Sequence, residues 1–276
     1  MVKRQFGSTG VEVPVIGQGT WQMNSSGLRA MHLGIELGMT HIDTAEMYTG
    51  SEEVVADVIR GRRNSIFLVT KVMPSNASYK NTIRACDASL KRLRTDYLDV
   101  YLVHWWTGTH PIEDTMRAME ELVDAGKIRQ IGVSNFDVAQ LKRTQKALTR
   151  YKIACNQVLY HLRSRGIENS LLGYCESQNI AVVGYSPFEQ GNFPKPSSRQ
   201  GKILETIAIK HGKTPKQVAL NFLTRHAGLF TIPKSGDLDH VRENSGGAGW
   251  ELDQEDLKSI DGAFPLPLKN QPLDML

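Results

Sequence analysis

The chain has 276 residues, of which 33 are Lys or Arg and 29 are Asp or Glu, so its net charge is +4. A charge this small excludes the strongly basic surface of a nucleic-acid-binding domain. Hydrophobic residues make up 40% of the chain and charged residues 22%, which excludes a disordered protein, and no apolar run is long enough for a membrane span. Its three cysteines form no disulfide framework and residues 1–10 lack the apolar segment of a secretory signal, so we expect a cytoplasmic protein.

The chain begins with a predicted hairpin and continues as alternating strands and helices. Arg4–Phe6 and Val11–Val13 are the two strands of the hairpin. Eight further β-like runs follow, and they are Val15–Thr20, Thr40–Thr44, Ile66–Val72, Leu98–His104, Ile131–Ser134, Cys155–Val158, Ala181–Tyr185 and Leu229–Pro233. Most of these runs are continuously apolar, which is typical of parallel strands that are buried on both faces.

Helical patterns occupy the gaps between the runs. Ser51 is predicted to cap a helix that stops at Gly61. Apolar residues at helical spacing predict two more helices, one with Ile83, Cys86, Leu90 and Leu93 and the other with Ile112, Met116, Met119 and Leu122. The last predicted helices are Ile203–Lys210, Pro215–Arg225 and Asp253–Asp261, with Asp253 as the cap of the third, and the tail Pro265–Leu276 is predicted to be a surface extension.

The order of these elements predicts the fold. Strand and helix units that repeat eight times in about 250 residues predict an α/β fold, a (β/α)8 TIM barrel, with a short N-terminal β-hairpin. We expect residues 1–276 to form a single domain. A doubly wound sheet is the alternative, but Gly17-Gln18-Gly19 is not followed by the third glycine of a dinucleotide-binding turn.

Titratable residues stand at the ends of consecutive predicted strands, where a barrel places its active site. They are Asp43, Tyr48, Lys71 and His104. A phenol has an ordinary pKa near 10, and a nearby cation such as Lys71 stabilises the phenolate, so that Tyr48 can donate a proton at neutral pH. Asp43 can hold Lys71, and His104 can orient a substrate carbonyl. Each residue alone is an ordinary turn or core residue, but the set predicts protonation of a carbonyl oxygen.

Short motifs around these residues resemble those of the aldo-keto reductases, in the order of that family. They are G-Q-G-T-W at Gly17–Trp21, H-I-D-T-A-E-M-Y at His41–Tyr48, V-T-K at Val69–Lys71, L-D-V-Y-L-V-H-W at Leu98–Trp105, G-K-I-R-Q-I-G-V-S-N-F at Gly126–Phe136, N-Q-V-L-Y at Asn156–Tyr160, G-Y-S-P-F at Gly184–Phe188 and T-I-P-K-S at Thr231–Ser235. The resemblance spans nearly the whole chain. It implies a barrel that binds an extended nicotinamide dinucleotide, reversible carbonyl-to-alcohol chemistry and no metal.

The resemblance also implies roles for individual residues. Tyr48 is the general acid, Lys71 and Asp43 are its tuning partners, and His104 is the orienting donor. Residues expected to bind the cofactor are Thr20, Ser134, Asn135, Gln157, Tyr185, Ser186, Phe188, Lys234, Ser235, Glu243 and Asn244. Within this set, Ser134, Asn135 and Gln157 bind the carboxamide, Tyr185 stacks on the nicotinamide, and Lys234 and Ser235 meet a 2′-phosphate, which favours NADPH.

Two departures from the family pattern bear on specificity. Many NADP-preferring members have arginine where this chain has His240, and a histidine is mostly neutral at pH 7 and cannot make the same phosphate contact, so NADH remains an alternative. After N-Q-V-L-Y many members read H-P, whereas this chain continues with His161–Glu168. That variant resembles, more loosely, prokaryotic members associated with methylglyoxal reduction.

The expected substrates are small carbonyl compounds. Trp21, Trp105 and Trp106 are predicted to wall the substrate pocket. Short loops make few contacts that reject a wrong substrate, which predicts a broad reductase of small aldehydes, 2-oxoaldehydes such as methylglyoxal, or sugar-derived carbonyls. We expect no nucleic-acid or membrane partner, and a monomer or weak oligomer. The alternatives are an NAD-linked sugar or alcohol dehydrogenase and a cofactor-binding regulatory subunit.

Overall fold

The computed structural model describes residues 1–276. An antiparallel hairpin, β1 (Lys3–Gln5) and β2 (Glu12–Pro14), comes first. Eight parallel strands follow and pair in chain order, namely β3 (Gln18–Gly19), β4 (His41–Asp43), β5 (Phe67–Val72), β6 (Leu98–Val103), β7 (Ile128–Ser134), β8 (Ile153–Leu159), β9 (Ala181–Tyr185) and β10 (Leu229–Thr231). A parallel bridge between Ile16 and Thr231 joins the two ends of the sheet and closes the barrel. The predicted (β/α)8 fold with its hairpin is confirmed.

Ten α-helices surround the strands. They are α1 (Leu28–Glu36), α2 (Ser51–Ile59), α3 (Tyr79–Leu93), α4 (Ile112–Asp124), α5 (Val138–Ala147), α6 (Leu171–Ser177), α7 (Arg199–His211), α8 (Pro215–Leu223), α9 (Leu238–Ser245) and α10 (Gln254–Ala263). Asp253 caps α10 as predicted, in a reciprocal capping box with Asp256. The predicted cap of α2 is wrong, because Gly50 is the N-cap and the buried hydroxyl of Ser51 donates instead to the carbonyl of Thr20 at 2.9 Å.

The hairpin places Phe6 under the amino-terminal end of the barrel. The Phe6 ring lies 4.9 Å from the ring of Phe67, the first residue of β5, and 4.9 Å from that of Phe230 in β10. All three side chains are buried. Aromatic packing therefore fills this end of the barrel, and a ligand can enter only at the carboxyl ends of the strands.

A buried ionic network fixes the segment that follows β8. The carboxylate of Glu168 accepts hydrogen bonds from Arg165 at 2.8 and 2.9 Å, from Arg225 at 2.6 Å and from the Tyr160 hydroxyl at 2.7 Å. Arg165 also donates to the carbonyl of Phe264 at 2.7 Å, just beyond α10. Burial raises the pKa of Glu168, but the two arginines outweigh it and lower the pKa, which keeps the carboxylate charged. The network joins three distant parts of the chain.

Replacement of Glu168 by leucine is expected to lower the free energy of unfolding by about 3 kcal/mol, because it leaves the mostly buried guanidinium of Arg225 without a carboxylate and that of Arg165 with Asp261 alone. Urea denaturation measures this change. Glu113→Leu is the matched control, since its ion pair with Arg143 is half-exposed, and it is expected to change the unfolding free energy by less than about 1 kcal/mol. Equal effects of the two substitutions would contradict a stabilising role of the network.

Candidate active site

A cleft of about 540 Å³ opens at the carboxyl ends of the barrel strands. Its volume lies in the range of about 300–1,000 Å³ that is usual for small-molecule sites. Most of the predicted site residues line it, namely Thr20, Trp21, Asp43, Tyr48, His104, Trp105, Ser134, Asn135, Gln157, Tyr185, Ser186 and Lys234. The fold thus brings residues from seven of the eight strand ends to one place.

A buried ion pair lies at the base of the cleft. Lys71 is fully buried at the end of β5, and its ammonium donates to Asp43 Oδ1 at 2.6 Å and to the carbonyl of Thr44 at 2.8 Å. The second carboxylate oxygen of Asp43 accepts a hydrogen bond from Gln157 Nε2 at 2.7 Å. Each charge is therefore compensated, which a buried ammonium requires.

Burial and pairing act in opposite directions on this pair. Burial raises the pKa of Asp43, while the charge of Lys71 and the hydrogen bond from Gln157 partly oppose that shift. Burial lowers the pKa of Lys71, but Asp43 and Tyr48 outweigh it, so the pKa of Lys71 lies above its ordinary value. Lys71 therefore remains an ammonium at neutral pH.

Tyr48 lies between the ion pair and the histidine. The Lys71 nitrogen is 5.2 Å from the centroid of the Tyr48 ring, and the rings of Tyr48 and His104 meet edge to face at 5.7 Å. Burial raises the pKa of Tyr48, and Lys71 offsets only part of this shift. Lys71 therefore acts on Tyr48 in the predicted direction, since it favours the phenolate, but burial has the larger and opposite effect on the pKa. Tyr48 is therefore protonated at neutral pH.

His104 is a neutral imidazole. Burial, assisted by the charge of Lys71, lowers its pKa to about 3. Its Nδ1 atom is buried without a hydrogen-bond partner, which leaves Nε2 as the ring nitrogen that faces the cleft. A neutral imidazole carries one N–H group, so His104 can donate one hydrogen bond to a bound oxygen.

Hydrogen bonds interlock the residues of the opposite wall. The Ser134 hydroxyl and the Asn135 backbone N–H both donate to the carbonyl of Gln157, at 2.9 and 2.8 Å. Asn135 Nδ2 donates to the carbonyl of His104 at 3.2 Å, and the Tyr185 hydroxyl donates to Asn135 Oδ1 at 3.0 Å. Asn135 has a φ of +62°, a conformation that asparagine tolerates better than most residues. The wall offers amide groups beside an aromatic ring.

The lining of the cleft includes a free cation. Lys234, three residues beyond β10, is exposed and forms no ion pair. Thr20 lines the cleft nearer its base, with its hydroxyl donating to the carbonyl of Asp43 at 2.9 Å. Ser186 adds a second hydroxyl side chain to the rim, with a φ of +53°. The lining of the cleft therefore combines a free positive charge with the acid–base groups.

Four residues predicted to bind a cofactor lie outside the cleft. Phe188 packs edge to face against Phe193 at 5.8 Å, and the Ser235 hydroxyl bonds to the backbone of Asp237. Glu243 and Asn244 belong to α9. The Glu243 carboxylate accepts from Lys216 at 3.4 Å, whereas Asn244 is buried with Oδ1 unpartnered. Their contacts with a cofactor remain predictions.

Of the three tryptophans predicted to wall the substrate pocket, two line the cleft and one does not. Trp21 lines the cleft and is 44% exposed, and Trp105 lines it beside His104, with ring centroids 4.9 Å apart. Trp106 does not reach the cleft. It packs against the apolar core, and its indole N–H donates to the carbonyl of His110 at 2.8 Å. Neighbouring residues in an extended segment point to opposite sides, which separates Trp106 from Trp105.

The tail, predicted to be a surface extension, also contributes to the cleft. Met275 and Leu276 at its end line the cleft. The Ser164 hydroxyl donates to Asp274 at 2.5 Å, and Asn169 Nδ2 donates to the carbonyl of Pro267 at 3.0 Å, which holds the tail against the loop after β8. Irregular chain without periodicity gives no signal for such a path. Ile232, at the end of β10, also joins the lining unpredicted.

Three further features concern the whole chain. No three His, Cys, Asp or Glu side chains are grouped so that they could hold a metal ion. None of the helices has the length and apolar character needed to cross a bilayer. Cys86, Cys155 and Cys175 are buried and form no disulfide.

The fold and the cleft define the class of protein, a parallel (β/α)8 barrel with an acid–base site at the carboxyl ends of its strands. The cleft combines a phenol, an ammonium–carboxylate pair and a neutral imidazole. The chain belongs to the aldo/keto reductase family, whose pattern matches residues 15–264. The family resemblance drawn from the motifs is thereby confirmed.

Relatives of known activity and structure cover nearly the whole chain. Methylglyoxal reductase YeaE of Escherichia coli (strain K12) is 42% identical in an alignment of 274 positions that covers 96% of this chain and 96% of that protein. Glyoxal reductase of Bacillus subtilis (strain 168) is 37% identical over 91% of this chain and 89% of that protein. The crystal structure of an aldo-keto reductase from Klebsiella pneumoniae in complex with NADPH has a TM-score of 0.93 and 40% identity over 100% of both chains.

Proposed function

We propose that the protein reduces aldehydes and ketones to alcohols with NADPH, and that its substrates are small aldehydes and 2-oxoaldehydes such as methylglyoxal. The observation that carries the proposal is the protonated Tyr48 beside neutral His104, above the buried Lys71–Asp43 pair. The relatives named methylglyoxal and glyoxal reductases, and the related structure in complex with NADPH, support the same conclusion.

The residues of the cleft fit a nicotinamide dinucleotide. Gln157 and Asn135 offer amide groups, and the Tyr185 ring beside them is available for stacking. Lys234 in the cleft lining offers an unpaired ammonium for a phosphate. Asn244, which lies in α9 outside the lining, has a buried Oδ1 without a partner. When bound, the reduced nicotinamide supplies a hydride to the carbonyl carbon.

Each residue of the acid–base group has a role in moving the proton. His104 donates a hydrogen bond from its N–H group to the carbonyl oxygen and fixes its position. Tyr48 transfers its phenolic proton to the same oxygen, which completes the alcohol and leaves a phenolate. Lys71 stabilises the negative charge on that phenolate, and Asp43 keeps the ammonium charged and in place. Solvent then returns a proton to Tyr48.

We propose the following setting for this activity. One barrel domain, residues 1–276, acts in the cytoplasm on a small-molecule carbonyl, as a monomer or weak oligomer. The three buried, unpaired cysteines support a reducing compartment. The continuous eight-stranded sheet supports a single domain. Light scattering of the purified protein measures its mass in solution, and a stable tetramer at low concentration would contradict this setting.

The test of the function compares cofactors. Purified protein is mixed with methylglyoxal and either NADPH or NADH, and loss of the absorbance of the reduced nicotinamide is followed. We expect faster turnover with NADPH, and Lys234→Met is expected to raise the KM for NADPH about tenfold but leave that for NADH unchanged, because only NADPH carries the 2′-phosphate. Lys258→Met, on the exposed face of α10, is the control.

The outcomes separate the alternatives. Turnover with NADH alone would favour the NAD-linked dehydrogenase and would agree with the exposed His240 in place of an arginine. Tight cofactor binding without turnover of any aldehyde, ketone or keto-sugar would favour a regulatory subunit.

A further inference from the structure

Arg163 belongs to the segment His161–Glu168, where the sequence departs from the family pattern, and its side chain reaches a loop next to the cleft. Its guanidinium forms an ion pair with Glu189 and donates to the carbonyl of Asn192 at 2.8 Å. It also donates twice to Gln200 Oε1, at 3.2 and 2.9 Å. One side chain from the loop after β8 therefore holds the loop after β9 at two residues and ties it to the first turn of α7 through Gln200.

The loop that Arg163 holds has an unusual backbone. Ser186, Glu189 and Gln190 have φ angles of +53°, +57° and +49°, in the left-handed region that non-glycine residues rarely adopt. Two of these three residues are consecutive. Such a conformation persists only where the surrounding structure enforces it. The loop therefore depends on contacts outside itself for its shape.

Glu189 is the loop residue whose ion pair with Arg163 holds the loop in this conformation. Its side chain is 7% exposed, and its Oε1 atom is buried without a hydrogen-bond partner, so Arg163 on Oε2 is the main compensation for its charge. The other basic group nearby is His161, whose Nδ1 lies 3.8 Å from Oε1. Burial lowers the pKa of His161 to about 4, so this imidazole is neutral at pH 7 and adds no charge. Without Arg163 the carboxylate would be buried and unpaired, which favours its movement to water.

The same loop forms part of the cleft. Ser186 and Gln190 line the cleft that also contains Tyr48 and Lys234. We propose that Arg163 and Glu189 are a positioning pair that holds loop 186–192 in place as part of the cleft wall, and that the pair thereby sets the rate at which a dinucleotide leaves the cleft. The inference rests on the proposed function for its ligand, but the effect of Arg163 on the loop does not depend on that ligand.

The test uses Arg163→Met and two readouts. In the cofactor-free protein, amide hydrogen exchange of residues 186–192 is expected to rise about tenfold. The dissociation rate of NADPH, followed by stopped-flow fluorescence, is also expected to rise about tenfold. Arg163→Lys keeps the positive charge but lacks the several N–H groups of the guanidinium that donate to Gln200 and Asn192. We therefore expect an intermediate value for both rates. Arg60→Met removes an exposed ion-paired arginine at the end of α2 that lies away from the cleft, and it is the control.

A double-variant cycle completes the test. Glu189→Gln removes the buried charge that Arg163 compensates. In the double variant with Arg163→Met, the increase in each of the two rates is therefore expected to be smaller than the product of the increases in the single variants. A change below twofold in either the loop exchange or the NADPH dissociation rate would overturn the proposal. If Arg163→Met does not fold, the Arg163→Lys data decide by the same criterion. Faster loop exchange in a protein that binds no NADPH would refute the proposed function and with it the link to cofactor release.

Discussion

Tyr48→Phe is expected to lower kcat for methylglyoxal reduction by about 10²–10⁴-fold, because it removes the general acid and leaves the rest of the cleft in place. The dissociation constant of NADPH is expected to change by less than about twofold. Steady-state kinetics and cofactor fluorescence measure the two quantities on the same preparation. Tyr174→Phe, on α6, is a matched control that removes a hydroxyl away from the cleft. Near-normal turnover in Tyr48→Phe would refute the assignment of the acid.

The pH dependence of reduction tests the same residue independently. Burial raises the pKa of Tyr48, and the active form is the protonated phenol. Turnover under saturating conditions is therefore expected to be constant through neutral pH and to fall only above the ordinary phenol value of about 10. His104 has a pKa of about 3, so it stays neutral over this range and adds no acid limb near pH 6. An activity that falls as pH rises from 6 to 8 would contradict this account.

The sequence predicts the fold well because barrel strands have a strong local signal. Runs such as Ile66–Val72 and Leu98–His104 are apolar without interruption, and the structure has strands at Phe67–Val72 and Leu98–Val103. Residues at strand ends must then meet at one mouth, so the grouping of the acid–base residues follows from the topology. The first strand was less predictable, since most of Val15–Thr20 is irregular and only Gln18–Gly19 is assigned as strand.

The parts of the site that the sequence did not predict depend on long-range packing. Gln157 was expected to face a cofactor, and its donation to Asp43 joins residues 114 positions apart. The path of the tail to the cleft depends on contacts with the loop after β8, among them the hydrogen bonds Ser164–Asp274 and Asn169–Pro267. The net shift of the Tyr48 pKa depends on its depth of burial, which residue order does not give. Periodicity reports local structure, whereas these features are set by tertiary contacts.

Lys71→Met is expected to lower the free energy of unfolding by about 3–5 kcal/mol, because it leaves the Asp43 carboxylate buried without its cation. The change also removes the charge that stabilises the Tyr48 phenolate, so kcat is expected to fall by at least about 100-fold. Chemical denaturation and steady-state kinetics measure the two effects. Methionine is unbranched and approximates the aliphatic stem of lysine, although it is one atom shorter, so most of the change is the loss of charge and hydrogen bonds.

The dependence of this stability loss on pH follows from the sign of the Asp43 shift. In Lys71→Met the opposing charge is gone and burial raises the pKa of Asp43 further, so the folded state binds its proton more tightly than the unfolded chain, whose pKa is about 3.9. The loss is then smallest below that value and grows as pH rises toward neutrality.

The double variant Lys71→Met, Asp43→Asn separates the two roles of the pair. It removes both charges while the asparagine keeps an oxygen for the Gln157 hydrogen bond, so most of the lost stability is expected to return at pH 7. Activity is expected to stay low, because the ammonium that stabilises the phenolate is still absent. Recovery of both stability and turnover would mean that the pair only packs the barrel interior, and recovery of neither would mean that Lys71 acts mainly through its bond to Thr44.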